Sequence, residues 1–183
     1  MKRSLIQSTP VILLAALLLA SAPRTSMAQA PDQAPADSTA LAPMLDWPTF
    51  PDAMANAKET ERIIIIDVWS ETCGWCRKLQ AEVYTQPDLQ EFVLDNFELG
   101  RLDIDIRSDT LSYKGYTLSS QMLSSGFGAT GTPTTIFLEP DGTYITRLQG
   151  FHAYDDFFDV IRFIGTESFR EMSFDDFMAT ETR

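Results

Sequence analysis

The sequence predicts an α/β domain, a mixed central sheet with helices on both faces, from three observations. Helical and strand patterns alternate from about residue 50 onward, and strands joined through helices pair in parallel. Residues 63–66 are four consecutive isoleucines, followed by Asp67-Val68-Trp69. Such a β-branched run is apolar enough to be covered on both faces. Pro140-Asp141-Gly142 stands between two further strand patterns and marks a tight turn, which adds an antiparallel pair.

The elements follow in order. A proline-led helix over 51–61 has Ala53, Met54 and Ala57 as its apolar contacts. After the strand 62–69, residues 76–84 carry apolar side chains at helical spacing. Thr85-Gln86-Pro87-Asp88 breaks that helix, and Leu89, Phe92, Val93 and Phe97 mark the next. Over 99–106, Leu102, Ile104 and Ile106 alternate with charged residues, a strand pattern. Residues 107–128 are polar, with a short helix near 118–123, and 134–139 and 143–148 are the two strands of the hairpin. Phe157, Phe158, Ile161 and Ile164 fall on one face of a helix over 153–164, and the tail adds a short helix through Phe174 and Phe177.

The chain of 183 residues divides by composition into four segments. Lys2 and Arg3 precede an unbroken apolar stretch over 11–20, and Ser26-Met27-Ala28 offers small residues at a cleavage site. That is the pattern of a signal peptide over 1–28, cut after Ala28, since a membrane span needs about 20 apolar residues. Residues 29–45, rich in Ala, Pro and small polar residues, read as a flexible linker. The domain is expected over 46–166 and a helical extension over 167–183. The leader holds three basic and no acidic residues, so the remaining 155 residues carry a formal net charge of −15. That charge repels phosphate backbones and anionic lipid surfaces, which excludes nucleic-acid and membrane-surface functions.

The chain has only two cysteines, in Cys73-Gly74-Trp75-Cys76, where the apolar strand turns into a helix. The amides and dipole of a helix N-terminus stabilise a thiolate, the form that performs thiol–disulfide chemistry. Export would place the pair in an oxidising compartment, where a purely structural disulfide is the alternative. A bridge across two residues constrains very little unfolded-chain entropy, which argues for the redox reading.

From Asp67 to Cys76 the segment resembles the strand and active-site turn of the thioredoxin superfamily. Gly131-Thr132-Pro133-Thr134-Thr135 resembles its cis-proline loop, and Gly150 falls where the family has a glycine after the last strand. The resemblance covers about residues 50–165 and is nearest to exported thioredoxins of the sulfur-oxidation type and to the periplasmic domain of transmembrane disulfide reductases. It implies that Cys73 is the attacking thiol and Cys76 the resolving one. It also implies a cis Pro133 that presents the Thr132 backbone to an extended substrate, with Trp75 and Gly150 beside it. Asp67, a carboxylate at the end of an apolar strand, should have a raised pKa and accept the Cys76 proton; the alternative is a strand-end aspartate facing water. Arg101 stands where the family has a lysine near that carboxylate, or is a surface arginine.

Two residues depart from the family pattern: Trp75 replaces the usual proline, and Thr72 the usual tryptophan. Trp75 is either a platform for substrate or a ring covering the thiols. Phe127 and Phe151 flank the active-site loops, as groove lining or as core. His152, the only histidine, makes with two cysteines an incomplete zinc set, so no metal and no cofactor is expected. The resemblance implies a monomeric periplasmic thiol–disulfide oxidoreductase that reduces protein or peptide disulfides and draws electrons from a membrane-embedded donor. An oxidase or isomerase, and a redox-inert peptide-binding chaperone, are the rival functions on the same fold.

Overall fold

The computed structural model describes residues 44–181. The signal peptide expected over 1–28, and all but the last two residues of the linker expected over 29–45, lie outside the described residues. The structure opens with α1 (Phe50–Thr60), β1 (Ile63–Trp69), α2 (Gly74–Glu82), α3 (Pro87–Asn96) and β2 (Phe97–Asp103). A small hairpin, β3 (Leu111–Tyr113) and β4 (Tyr116–Leu118), precedes α4 (Ser120–Gly126). The chain then runs through β5 (Thr134–Leu138), β6 (Tyr144–Gln149), α5 (Tyr154–Gly165), a 3-10 turn at Ser168–Arg170 and α6 (Phe174–Glu181).

The main sheet has strand order β2-β1-β5-β6. β1 and β2 are parallel, joined through α2 and α3, whereas β5 runs antiparallel to both β1 and β6. The β5–β6 connection closes through the Glu139 N–H on the Thr143 carbonyl at 2.8 Å, with Gly142 at φ 83°, a conformation glycine adopts without steric cost.

β1 is buried along almost its whole length, and alternate residues feed different cores. Ile63 and Ile65 join Leu79, Val83, Leu89, Val93, Phe157 and Ile161 beneath α2, α3 and α5. Ile64, Ile66 and Val68 join Phe50, Ala53, Ala57, Leu123 and Phe127 beneath α1 and α4. Helices therefore cover both faces, and a period of two in an all-apolar strand is what supplies both cores. α6 and the 3-10 turn add Phe177, Phe169 and Met178 to the first core.

Three local expectations are corrected. Phe97 does not close a helix; it opens β2, paired with Ile63 and 2% exposed, because burial on the sheet outweighs helical spacing. β2 ends at Asp103 rather than Ile106, since the Asp105 N–H turns back onto Asp103 Oδ1 at 2.9 Å and leaves Ile106 49% exposed. The polar stretch 107–128 contains the β3–β4 hairpin, turned at Lys114 and Gly115, both with positive φ. Lys-Gly is a weaker turn signal than Asn-Gly, which is why the pattern hid it.

Candidate active site

Cys73 is the N-cap of α2. Its backbone is extended, and its Sγ accepts the Cys76 N–H at 3.1 Å. It is bridged to Cys76 with a Cα–Cα distance of 5.2 Å. The two sulfurs differ in access: Cys73 is half-buried, whereas Cys76 is 1% exposed on the inward face of α2 beside Leu79. An amide already aimed at Cys73 Sγ, at a helix end with no acidic residue in its first turn, favours the anion there once the bridge opens.

The turn before Cys73 is braced from the turn that follows β2. Asp105 accepts from Ser70 Oγ at 2.9 Å and from the Glu71 N–H at 2.8 Å. The Cys73 N–H reaches the Ser70 carbonyl, and Arg77 bonds the Glu71 carbonyl. Asp105 is a residue that the alternating pattern assigned only to a strand. Its reach across 35 positions to Ser70 has no local signal.

A groove of about 260 Å³ adjoins the dithiol and gathers Trp75, Thr132, Pro133, Gly150 and Phe151. The Thr132–Pro133 peptide bond is cis, and the Gly150 N–H holds the Pro133 carbonyl at 2.9 Å. Trp75 is 58% exposed and rests on Phe151 with centroids 5.5 Å apart. Lys78 Nζ lies over both rings, at 5.3 and 4.8 Å. Phe151 is thus part of the groove wall as well as packing on the first core, while Phe127 is buried in the second core. His152 Nε2 meets the Gln149 carbonyl.

Asp67 is not in this groove. It is buried in β1, 1% exposed, with Arg101 directly beside it in register on β2. Arg101 donates Nε and Nη2 to Asp67 Oδ2 at 3.0 and 2.8 Å, and Tyr84 Oη donates to Oδ1 at 3.4 Å. Burial pushes the Asp67 pKa up, and the Arg101 guanidinium and the Tyr84 hydroxyl only partly offset it. Burial and the neighbouring Asp67 push Tyr84 up as well, so it stays protonated.

A raised carboxyl pKa has a sign in the stability. Between the unfolded and folded values of Asp67 the folded chain holds the extra proton, so stability falls as pH rises through that window. Denaturant unfolding of the oxidised protein across pH should show this slope, and Asp67→Asn should flatten it and be the more stable form above the window. Parallel pH profiles for the two proteins would refute the assignment.

Residues 50–165 match the family model of the thioredoxin-like domain. The chain belongs to the thioredoxin-like family. The match begins with α1 and ends with α5. This thioredoxin-like chain is 31% identical over 108 residues to an uncharacterised protein of Caenorhabditis elegans, a match spanning 55% of this chain but 14% of that relative's length. Among solved structures it is similar to a thioredoxin-fold protein from Helicobacter pylori, with a TM-score of 0.55 at 16% identity over 67% of this chain and 80% of that one. It is also similar to a thioredoxin from Thermus thermophilus, with a TM-score of 0.53 at 24% identity over 67% and 88%. At these identities the likeness is one of fold. The thioredoxin-like domain thus carries a Cys-x-x-Cys pair at disulfide distance, at the N-cap of a helix.

Proposed function

We propose that the protein is an exported, periplasmic reductase of protein disulfides. The single observation that carries the reading is the asymmetry of the pair, an accessible Cys73 at a helix N-cap bridged to a buried Cys76. In the reduced protein the Cys73 thiolate attacks a substrate disulfide, forming a mixed disulfide and releasing one substrate sulfur as thiolate. Asp67 takes the Cys76 proton. Cys76 then attacks Cys73 Sγ, the mixed disulfide breaks, and the second substrate thiol departs. Two electrons pass to the substrate, and the Cys73–Cys76 bridge remains. The groove of Trp75, Thr132, Pro133 and Gly150 holds the extended substrate, with backbone pairing at Thr132.

The apolar stretch over 11–20 and Ser26-Met27-Ala28 support export, and recovery of a chain beginning at Gln29 from a periplasmic extract tests it. In that compartment the bridge must be reopened by a dithiol donor, which we assign to a membrane-embedded partner. On this reading the protein works in the manner of the exported thioredoxins and of the periplasmic domains of transmembrane disulfide reductases.

Reduction of insulin by a dithiol reductant tests the chemistry. Cys73→Ser should lower the protein-dependent rate by about a thousandfold or more, and equal rates in both proteins would leave a peptide-binding chaperone. Equilibration with glutathione tests the direction. A potential near about −270 mV is that of a reductase, whereas one near about −120 mV overturns it in favour of an oxidase.

A further inference from the structure

Trp47 lies ahead of the segment that matches the family model, yet it reaches the buried carboxylate's partner. Its ring sits 5.3 Å from the guanidinium carbon of Arg101, and Trp69 covers the same guanidinium at 4.7 Å. The guanidinium is therefore stacked on two indoles while it donates twice to Asp67 Oδ2. Trp47 also packs on Tyr84, centroids 5.0 Å apart, and Tyr84 is the hydroxyl on Asp67 Oδ1.

The backbone of the same segment is fastened to β2. The Arg101 N–H bonds the Pro48 carbonyl at 2.9 Å, and Thr49 makes a parallel bridge to Arg101. The position is a poor one for an indole considered as a donor, because Trp47 Nε1 is buried with no hydrogen-bond partner among the described residues, which costs free energy. What the site uses is the face of the ring, and a face suits a guanidinium.

We infer that Trp47 is a positioning residue for the resolving step: it clamps Arg101 and Tyr84 against Asp67 and so sets the proton affinity of the group that deprotonates Cys76. The inference rests on the role proposed above for Asp67. The charged and titratable groups acting on Asp67 are Arg101 from β2 and Tyr84 from the turn after α2. Thr135, opposite on β5, is neutral. Asp103 and Asp109 line the depression that opens beside Arg101 and Trp47. Without the Trp47 ring the guanidinium is free to turn toward water and these outer carboxylates. Asp67 would stay buried but less well paired, which raises its pKa further.

The test is a single-turnover reaction of the reduced protein with an aromatic disulfide that releases one coloured thiolate at each step. The second release reports resolution by Cys76. Its rate against pH should have a midpoint in Trp47→Leu about half a unit or more above wild type, with Trp47→Phe close to wild type and no displacement when Asp67→Asn is also present. Trp47→Met, whose flexible chain fills irregular space, replaces the leucine variant if that one does not fold. A loss of thermal stability with an unmoved midpoint makes Trp47 merely structural and overturns the inference, as does a downward shift. A shift that persists with Asp67→Asn overturns it too, because Trp47 then acts through another group. If Asp67→Asn alone leaves the wild-type profile intact, the role of Asp67 falls and the inference falls with it.

Discussion

Cys76→Ser should stop turnover while leaving the first chemical step intact. The step that needs Cys73 draws on the Cys76 backbone N–H aimed at its sulfur at 3.1 Å, and that amide survives the substitution. Attack on a disulfide should therefore still release one equivalent of thiol. Resolution does not survive: a serine hydroxyl is not ionised near neutral pH and is a poor nucleophile toward sulfur. No external thiol can substitute from the inward side, since position 76 is 1% exposed. The expected result is a burst of one equivalent, then a steady rate lower by about a thousandfold or more. Mass spectrometry should find the substrate fragment attached at Cys73 and released by reductant. Cys73→Ser should give neither burst nor adduct. Steady turnover by Cys76→Ser at the wild-type rate would mean that resolution is done from solution, and the dithiol mechanism would fail.

The parts of this site that were legible in the sequence are those that local chemistry dictates. Four isoleucines, a Cys-x-x-Cys pair and a following helical pattern place Cys73 at a helix start without knowledge of any partner. The Pro140-Asp141-Gly142 turn fixes the hairpin for the same reason. What was not legible depends on neighbours distant in sequence. Nothing local to Arg101 says whether it faces water. Its partner lies 34 positions away, and the pairing follows from the parallel register of β1 and β2. Asp105 is similar, a turn residue whose second use is to brace Ser70 and Glu71. Trp47 is the extreme case, because its role emerges only once the segment before α1 is laid along β2. Phe97 failed differently: its spacing fits the preceding helix, and only burial against Ile63 settles it as a strand residue.

Gly100→Ala should destabilise the fold by about 2–3 kcal/mol, although the position is remote from the dithiol in sequence. Gly100 pairs with Ile66 in the parallel register and lies where α1 crosses β2. A Cβ placed there meets Ala53 Cβ at 2.6 Å and Ile66 Cδ1 at 2.8 Å. Real Cβ contacts are longer than either distance, so something must move. The isoleucine methyl can rotate away, but Ala53 Cβ is fixed to the helix backbone, 0% exposed in the second core. The helix must then lift from the sheet, and close-packed interiors resist that displacement. For a domain of this size the melting temperature should fall by about 10 °C. Ala53→Gly in the same chain removes the nearer obstacle and should recover part of the loss, less about 1 kcal/mol for glycine inside a helix. The cross-effect is the test, since two independent defects would add. If Gly100→Ala melts with wild type, or Ala53→Gly makes it worse by its full separate cost, α1 is not held against β2 at the spacing that positions Thr49, Pro48 and through them Arg101.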